Sequence, residues 1–183
     1  SAEDTGFIKN IMQETLIQFK PVIDELETLR ETLDMREEIV RESGRIDRSE
    51  LKRLFRPALI KMRMSARTKE ESIRELIGMV AGLPELHITE AELFSAVWQR
   101  ETEMSTGLAS GLAIPHAKCE GVNEIIMAVG IKSEGIDFDS IDGQLSRLFI
   151  LLISPANVPS EHLLVLSYLT SLFSDPDQIA RAV

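Results

Sequence analysis

His116 is the side chain of this sequence with the strongest potential for chemistry. It stands directly after Pro115 and follows a segment that contains glycines and other small residues. Proline fixes the backbone φ angle, and small neighbours leave room for a ligand to approach the imidazole. A single histidine is more often a packing or surface residue, so a functional interpretation depends on the neighbourhood of His116.

The segment before His116 has the composition of an anion-binding loop. Thr106 and Ser110 carry hydroxyls, and the amides of Gly107 and Gly111 can form a concave anion site. The segment lacks the Gly-Lys-Ser/Thr ending of a nucleotide-binding P-loop. We therefore predict that these four residues form a phosphate loop that is not a nucleotide-binding P-loop.

Arg100 is a candidate for neutralising that oxyanion. It lies three residues after Val97 and seven after Leu93, which places it on the apolar side of a predicted helix. Two interpretations are evenly matched. The side chain either lays its stem on the core with its head in water or directs a cation towards the anion.

His162 is a candidate for a supporting imidazole. It precedes Leu166 by four residues and Leu169 by seven, so it shares their buried face in the first turn of a predicted helix. The positive end of the helix dipole disfavours protonation there. A neutral imidazole can both donate and accept hydrogen bonds, whereas the alternative is a core histidine without chemistry.

Two other polar residues carry no predicted role. His87 reads as a loop residue, and Cys119 has no evident activating base, so we interpret both as structural or neutral. Three histidines and one thiol argue against a structural zinc site. We predict neither a metal nor a cofactor.

The charge distribution argues against nucleic-acid binding. The 183 residues carry a net charge of −10, and the only basic stretch is residues 51–69, with seven bases and no acid. A nucleic-acid-binding domain normally presents a dominant basic face. We favour a solvated face for this stretch over a partner surface.

Features of the whole chain point to the cytoplasm. The longest apolar run, Ile125–Ile131, is far shorter than the ~20 residues of a membrane span. No secretory leader opens the chain, and its single cysteine fits a reducing compartment. The chain starts without Met and stops at Val183 within a predicted helix, so we expect a fragment, which could be the cytoplasmic part of a membrane-associated protein.

Residues 1–47 form a predicted helical extension or linker, separate from a domain over residues 48–183. Between Ile8 and Val40, apolar residues fill eight of the ten positions of a heptad frame, and Pro21 either kinks this helix or begins its second half. Such a seam requires a partner surface. We predict a homodimer through residues 8–40, or packing of this segment on the outside of the domain.

The second region alternates helix and strand signals. Thr68 with Glu71 and Thr89 with Glu92 predict capping boxes that open two helices, the second ending near Glu103. Strands are predicted over 124–131 and 145–153, the latter buried on both faces, followed by a helix capped by Ser160 and a truncated last helix from 175. The fold class is α/β, a mixed β-sheet flanked by helices on both faces.

The stretch RETEMSTGLASGLAIPHA, residues 100–117, resembles the signature of phosphotransferase-system enzyme IIA domains of the fructose, mannitol and nitrogen-regulatory type. The flanking segments also resemble this family, in the same order along the chain: TKEESIRELI before the stretch, and GIDFDSIDGQLSRLFILLISP and EHLLVLSYLTSLF after it. The resemblance runs from Leu51 to Val183, which leaves the helical extension outside.

This resemblance implies roles for individual residues. His116 matches the phospho-accepting histidine, His162 the second histidine of the active centre, and Arg100 the arginine beside the phosphate. Thr106 falls in a hydroxyl-bearing turn near the site. Ala109 departs from the pattern, which has glycine there, and a positive φ at this position would strain an alanine.

The resemblance implies a phosphoryl carrier of the phosphoenolpyruvate-dependent sugar phosphotransferase system. His116 would accept phosphate from the histidine phosphocarrier protein and pass it to a IIB domain or a regulatory target, without a metal or nucleotide. The alternative is a non-enzymatic sensory domain of this type, fused to a transporter or regulator. A DNA-binding regulator is not indicated, because no basic recognition helix is present.

Overall fold

The computed structural model describes residues 53–173 and residue 179. Its regular elements are three α-helices and five strands: α1 (Lys69–Val80), α2 (Glu90–Glu103), α3 (Pro159–Leu172), β1 (Ile60–Lys61), β2 (Leu112–Ala113), β3 (His116–Cys119), β4 (Ile126–Ile136) and β5 (Ser146–Pro155). The predicted seam over 8–40, the boundary near 47 and the last helix from 175 lie outside the described residues. No helix within the described ranges combines the length and apolar character that crossing a bilayer requires.

The five strands form one mixed sheet. Strands β1, β4, β5 and β2 lie side by side in that order, and β3 also pairs with β5. Strands β4 and β5 are antiparallel, whereas the other pairs are parallel. Strands β2 and β3 pair with successive parts of one edge of β5. This pairing places His116, the first residue of β3, opposite Leu152 of β5.

Helices cover both faces of this sheet, as the fold-class prediction states. Along β5, Phe149, Leu151 and Ile153 face a core that includes α1 and α2, and the alternate residues face a core that includes α3. Residues 148–153 are at most 2% exposed. The predicted strand buried on both faces is therefore confirmed, and its period of two assigns each side chain to one layer.

The helix starts follow the sequence signals in part. At α2, the Thr89 and Glu92 side chains each bond to the other's backbone N–H, so this capping box is complete. At α1, Thr68 accepts from the Glu71 amide, but the Glu71 carboxylate accepts from Arg67 N (2.7 Å) instead of completing the box.

The predicted cap of α3 is wrong. Ser160 lies inside the first turn and makes no capping bond, because Pro159 begins the helix and Val158 is the N-cap residue. Proline is favoured at a first helical position, since its fixed φ angle suits the helix and no N–H is lost there.

The basic stretch supplies ion pairs within the domain. Its internal pairs are Arg56 with Glu85 and Glu124, Lys61 with Glu75, and Lys69 with Glu101 and Asp139. These cations stabilise contacts between elements, so they do not form one basic face directed at a partner.

Candidate functional site

A pocket of about 530 Å³ lies between α2, β3 and the start of α3. Its lining is Ala96, Gln99, Arg100, Glu103, His116, Ala117, Lys118, His162, Leu163 and Leu166. Three residues predicted from the sequence, His116, His162 and Arg100, thus lie around one cavity, although they come from three separate elements.

The hydrogen bonding of the His116 ring leaves its Nε2 atom free of the contact that holds Nδ1. Its Nδ1 lies 2.8 Å from the carbonyl oxygen of Ile114. A carbonyl can only accept, so the neutral ring carries its proton on Nδ1 and keeps a lone pair on Nε2. The intervening Pro115 and the break between β2 and β3 allow the ring to reach back to a carbonyl two residues earlier.

The surroundings of His116 favour the neutral ring. Burial lowers the pKa of His116 below its usual range, and the nearby charges of Arg100 and Lys118 act in the same direction. The Ile114 carbonyl and the Glu101 carboxylate oppose this shift in pKa. A neutral imidazole with a lone pair on Nε2 is a nucleophile, whereas its protonated form is not.

His162 lies beside His116 and is only 3% exposed. The two ring centroids are 5.4 Å apart and the planes are tilted by 51°. Burial lowers the pKa of His162 to about 4, and the charges of His116, Lys118 and Arg100 contribute. The ring is therefore neutral at pH 7, chiefly because of burial rather than the helix dipole that the sequence suggests.

Arg100 occupies the last turn of α2 at the edge of the pocket. Its Nη1 donates to the carbonyl oxygen of Met104, 3.0 Å away, beyond the helix end. A cation at a helix C-terminus is favoured by the dipole and by the unpaired carbonyls there. The half-buried side chain lines the pocket with His116, so its charge is near both imidazoles.

Lys118 is a site residue that our reading of the sequence missed. It lies two residues after His116 on β3, so strand alternation places both side chains on the same face. Its charge lowers the pKa values of both His116 and His162. The sequence signal that identifies Lys118 is the alternation of side chains along a short strand that begins at His116.

The hydroxyl of Thr106 is committed to a buried carboxylate. Glu101, 4% exposed, accepts from Thr106 through both the backbone amide (3.1 Å) and the hydroxyl. It also accepts from Ser105 Oγ (3.1 Å) and Lys69 Nζ (2.9 Å). Glu101 thereby connects the helix end that carries Arg100 to the following loop and to α1, and Thr106 does not line the pocket.

Gly107, Ser110 and Gly111 also lie outside the pocket lining. A Cβ atom at Gly107 would approach the carbonyl oxygen of Phe138 to 2.7 Å, so this position requires glycine for packing. The Ser110 amide donates to Asp142 Oδ2 at 2.8 Å. The structure shows these groups holding the loop against the β4–β5 connection, and their contact with phosphate stays a prediction.

The positive φ angle that would strain an alanine is found at the residue after Ala109. Ser110 has φ 64° and Gly111 has φ 87°, whereas Ala109 is not among the residues with positive φ. The alanine therefore carries no left-handed strain.

Cys119 and His87 take no part in the pocket. Burial raises the pKa of the Cys119 thiol, which disfavours its reactive thiolate. His87 is exposed in a loop, where its amide donates to the Gly121 carbonyl oxygen at 2.6 Å. Within the described residues, no cluster of three His, Cys, Asp or Glu side chains is arranged to hold a metal ion.

Residues 53–182 match the family described as the phosphoenolpyruvate-dependent sugar phosphotransferase system, EIIA 2. This chain belongs to that enzyme IIA family. Over 113 residues, the IIA chain is 33% identical to the fructose-specific EIIABC component of Bacillus subtilis. The match covers 62% of this chain but only 18% of that longer protein.

Two solved structures share the IIA fold. The nitrogen regulatory protein IIA-Ntr of Neisseria meningitidis is 31% identical with a TM-score of 0.65, over 68% of this chain and 84% of that one. The Escherichia coli enzyme IIA for mannitol, in complex with phosphorylated enzyme IIB, is 25% identical with a TM-score of 0.60, over 70% and 87%. The IIA domain is thus similar to both sugar-transport and regulatory proteins.

Proposed function

We propose that this IIA domain carries a phosphoryl group on Nε2 of His116. The observation that carries the proposal is the bond from His116 Nδ1 to the Ile114 carbonyl, which leaves the Nε2 lone pair beside two cationic side chains. Burial keeps the ring in its nucleophilic form, and the pocket holds the charge that a phosphoryl group requires.

The reaction is an exchange between two imidazoles. The Nε2 lone pair of His116 forms a bond to the phosphorus of a donor phosphohistidine, and the bond from phosphorus to the donor nitrogen breaks. The bonding electron pair returns to the donor ring, so no oxidant, metal or net proton is needed. His116 keeps its Nδ1 proton, and the Ile114 carbonyl stabilises the positive charge that phosphorylation places on the ring.

Three side chains stabilise the transferring group. Arg100 and Lys118 provide positive charge, and His162 provides an N–H donor without charge repulsion between two cationic rings. Phosphoryl transfer depends mainly on such positioning and charge stabilisation. One preorganised donor contributes about 10²-fold to the rate in sites of this kind.

The resemblance to the IIA family implies two protein partners. We propose the histidine phosphocarrier protein as donor and a IIB domain as acceptor. The mannitol enzyme IIA, solved with phosphorylated IIB, and the fused B. subtilis relative support a IIB acceptor. Association with a transporter is part of the same proposal, whereas the homodimer through residues 8–40 is a separate prediction.

A regulatory role is the second candidate. It is favoured by the similarity to IIA-Ntr, the structural relative with 31% identity. In that case His116 would still be phosphorylated, or its pocket would sense a partner's state, without transfer to IIB. The two candidates differ in whether a IIB domain removes the phosphate from His116.

The test is phosphorylation from phosphoenolpyruvate with enzyme I and the histidine phosphocarrier protein. We expect acid-labile phosphate on His116 by mass spectrometry, loss of label in His116→Ala, and unchanged label in the exposed control His87→Ala. Added IIB domains that discharge the label favour the transport role, whereas a stable label favours regulation. Label that persists in His116→Ala would contradict the proposed site.

A further inference from the structure

A buried hydroxyl contacts the imidazole ring of His162. Ser154 Oγ lies 2.7 Å from Nδ1 of His162, and Ser154 is 0% exposed. Ser154 belongs to β5, where it pairs with Lys118 of β3, whereas His162 belongs to the first turn of α3. The contact therefore fixes the ring of a helix residue against the sheet.

The direction of this hydrogen bond sets the tautomer of His162. A neutral imidazole carries one proton, so one ring nitrogen donates and the other accepts. If Ser154 donates to Nδ1, the proton of His162 is on Nε2. If Ser154 accepts from Nδ1, the Nε2 atom carries a lone pair instead.

The pocket distinguishes the two arrangements. His162 lines it next to His116, whose Nε2 also carries a lone pair because Nδ1 is bonded to the Ile114 carbonyl. A second lone pair would repel both that nitrogen and the anionic oxygens of a phosphoryl group. An N–H on His162 Nε2 attracts both, so the pocket favours the arrangement in which the hydroxyl donates.

We propose that Ser154 is a positioning residue, whose hydroxyl donates to Nδ1 of His162 and keeps the proton of that ring on Nε2. His162 then donates a hydrogen bond to a phosphoryl oxygen on His116. This second step rests on the proposed carrier function. Ser154 touches no reacting atom, and its effect passes entirely through His162. Removing the hydrogen-bond partner that orients a metal-ligating histidine typically costs about 10- to 100-fold in metal affinity or activity, and we take this range as the guide for His162.

The chain offers a matched control for this hydroxyl. Ser146 is a second fully buried serine on β5, and its Oγ bonds to Ser140 Oγ at 3.0 Å. Ser146→Ala therefore removes a buried hydroxyl from the same strand without touching an imidazole. Ser154→Cys, with nearly the original volume and a weak donor, replaces Ser154→Ala if the alanine variant fails to fold.

The first measurement is the tautomer of His162 in the unphosphorylated full chain, from ¹⁵N NMR of its ring nitrogens at pH 7. We expect protonated Nε2 and unprotonated Nδ1 in the wild type and in Ser146→Ala, with a shift towards the other tautomer in Ser154→Ala. A wild-type ring protonated on Nδ1 would overturn the proposal. This readout needs no phosphate donor, so it decides the proposal even if the carrier function fails.

The second measurement is the rate of phosphoryl transfer to His116. We expect Ser154→Ala to slow it about tenfold, and Ser146→Ala to leave it within about twofold. In a His162→Ala background, Ser154→Ala should have no further effect, because its action requires that ring. An equal loss with and without His162 would show a structural role and overturn the proposal. Failure of the wild type to accept phosphate would reject the carrier function separately.

Discussion

The rings of His116 and His162 lie 5.4 Å apart between centroids, and each is held by its Nδ1 atom. The partner is the Ile114 carbonyl oxygen at 2.8 Å for His116 and Ser154 Oγ at 2.7 Å for His162. Both rings thus keep Nε2 for the pocket. One lone pair and one N–H in this position suit a nucleophile and a donor to the group it carries.

Loss of positive charge at the pocket should slow phosphoryl transfer. We expect Arg100→Gln to reduce the rate about 10²-fold, because its charge is near the group that forms on His116. Lys118→Gln should cost less, about tenfold, because the more exposed cation is better screened by water. Single-turnover transfer from the phosphocarrier protein measures both rates. Arg67→Gln, an exposed charge outside the pocket lining, is the control, and equal slowing there would indicate a general charge effect.

Stability should fall in acid because His162 is buried in its neutral form. Its pKa is about 4 in the folded protein, against about 6.5 when unfolded. The unfolded chain therefore binds more protons between these values. Stability contributed by the neutral ring is complete above pH 6.5 and is lost as the pH falls towards 4, by up to about 1.4 kcal/mol per unit.

Urea unfolding of the wild type and His162→Gln at several pH values measures this effect. The difference in unfolding free energy between the two proteins should shrink as the pH falls from 7 to 5, because only the wild type has the His162 imidazole, whose burial opposes protonation. The His116 imidazole is present in both proteins. Carboxylates contribute equally to both proteins and cancel. A difference that is independent of pH would contradict the depressed pKa of His162.

Glu101 should be a large contributor to stability at the end of α2. Glu101→Gln removes the charge that accepts from Lys69 and from Thr106, and it places an amide NH₂ against one of these donors. We expect a loss of about 2–3 kcal/mol, in the range for buried charged hydrogen bonds. Glu70→Gln breaks only an exposed pair with Arg74 and should cost less than about 0.5 kcal/mol. Similar losses in both variants would refute this role.

Two glycines should respond oppositely to alanine. Gly78 lies exposed within α1, and apart from the local helix backbone and the adjacent residues no atom lies within 4 Å of the position that a methyl group would take there. Gly78→Ala should therefore stabilise the protein by about 0.5–1 kcal/mol. Gly107→Ala brings a Cβ to 2.9 Å from the Ser140 Cα and forces the loop to move. We expect a loss of about 1–3 kcal/mol in thermal or urea unfolding. A destabilised Gly78→Ala would contradict the placement of that residue.

The helical extension should be dispensable for the domain. A chain that begins at Ile46 should keep its fold and its phosphorylation at His116, because the family match covers only residues 53–182. Light scattering at tens of micromolar should show a dimer for the full chain and a monomer for the shorter one. Equal monomer masses would exclude the dimer, and an unfolded short chain would show that the extension belongs to the domain.

Local patterns in the sequence determined several elements of the described domain and singled out His116 as the candidate for phosphorylation. The capping pair Thr89 and Glu92 predicts the start of α2, and the apolar run over 148–153 predicts a central strand, because each signal acts within a few residues. The Ala-Ile-Pro-His string and its neighbours, through resemblance, single out His116. Pro159 at the start of α3 shows the limit, since it displaced the predicted cap at Ser160.

Only the tertiary structure decided what each polar group binds. Thr106 has a hydroxyl suited to phosphate, but the buried carboxylate of Glu101 takes it. Ser154 and His162 look unrelated in sequence until α3 packs on the sheet and brings their atoms to 2.7 Å. The physical reason is that helices and strands form from local propensity and periodicity, whereas hydrogen-bond partners depend on which surfaces are buried together when the whole domain folds.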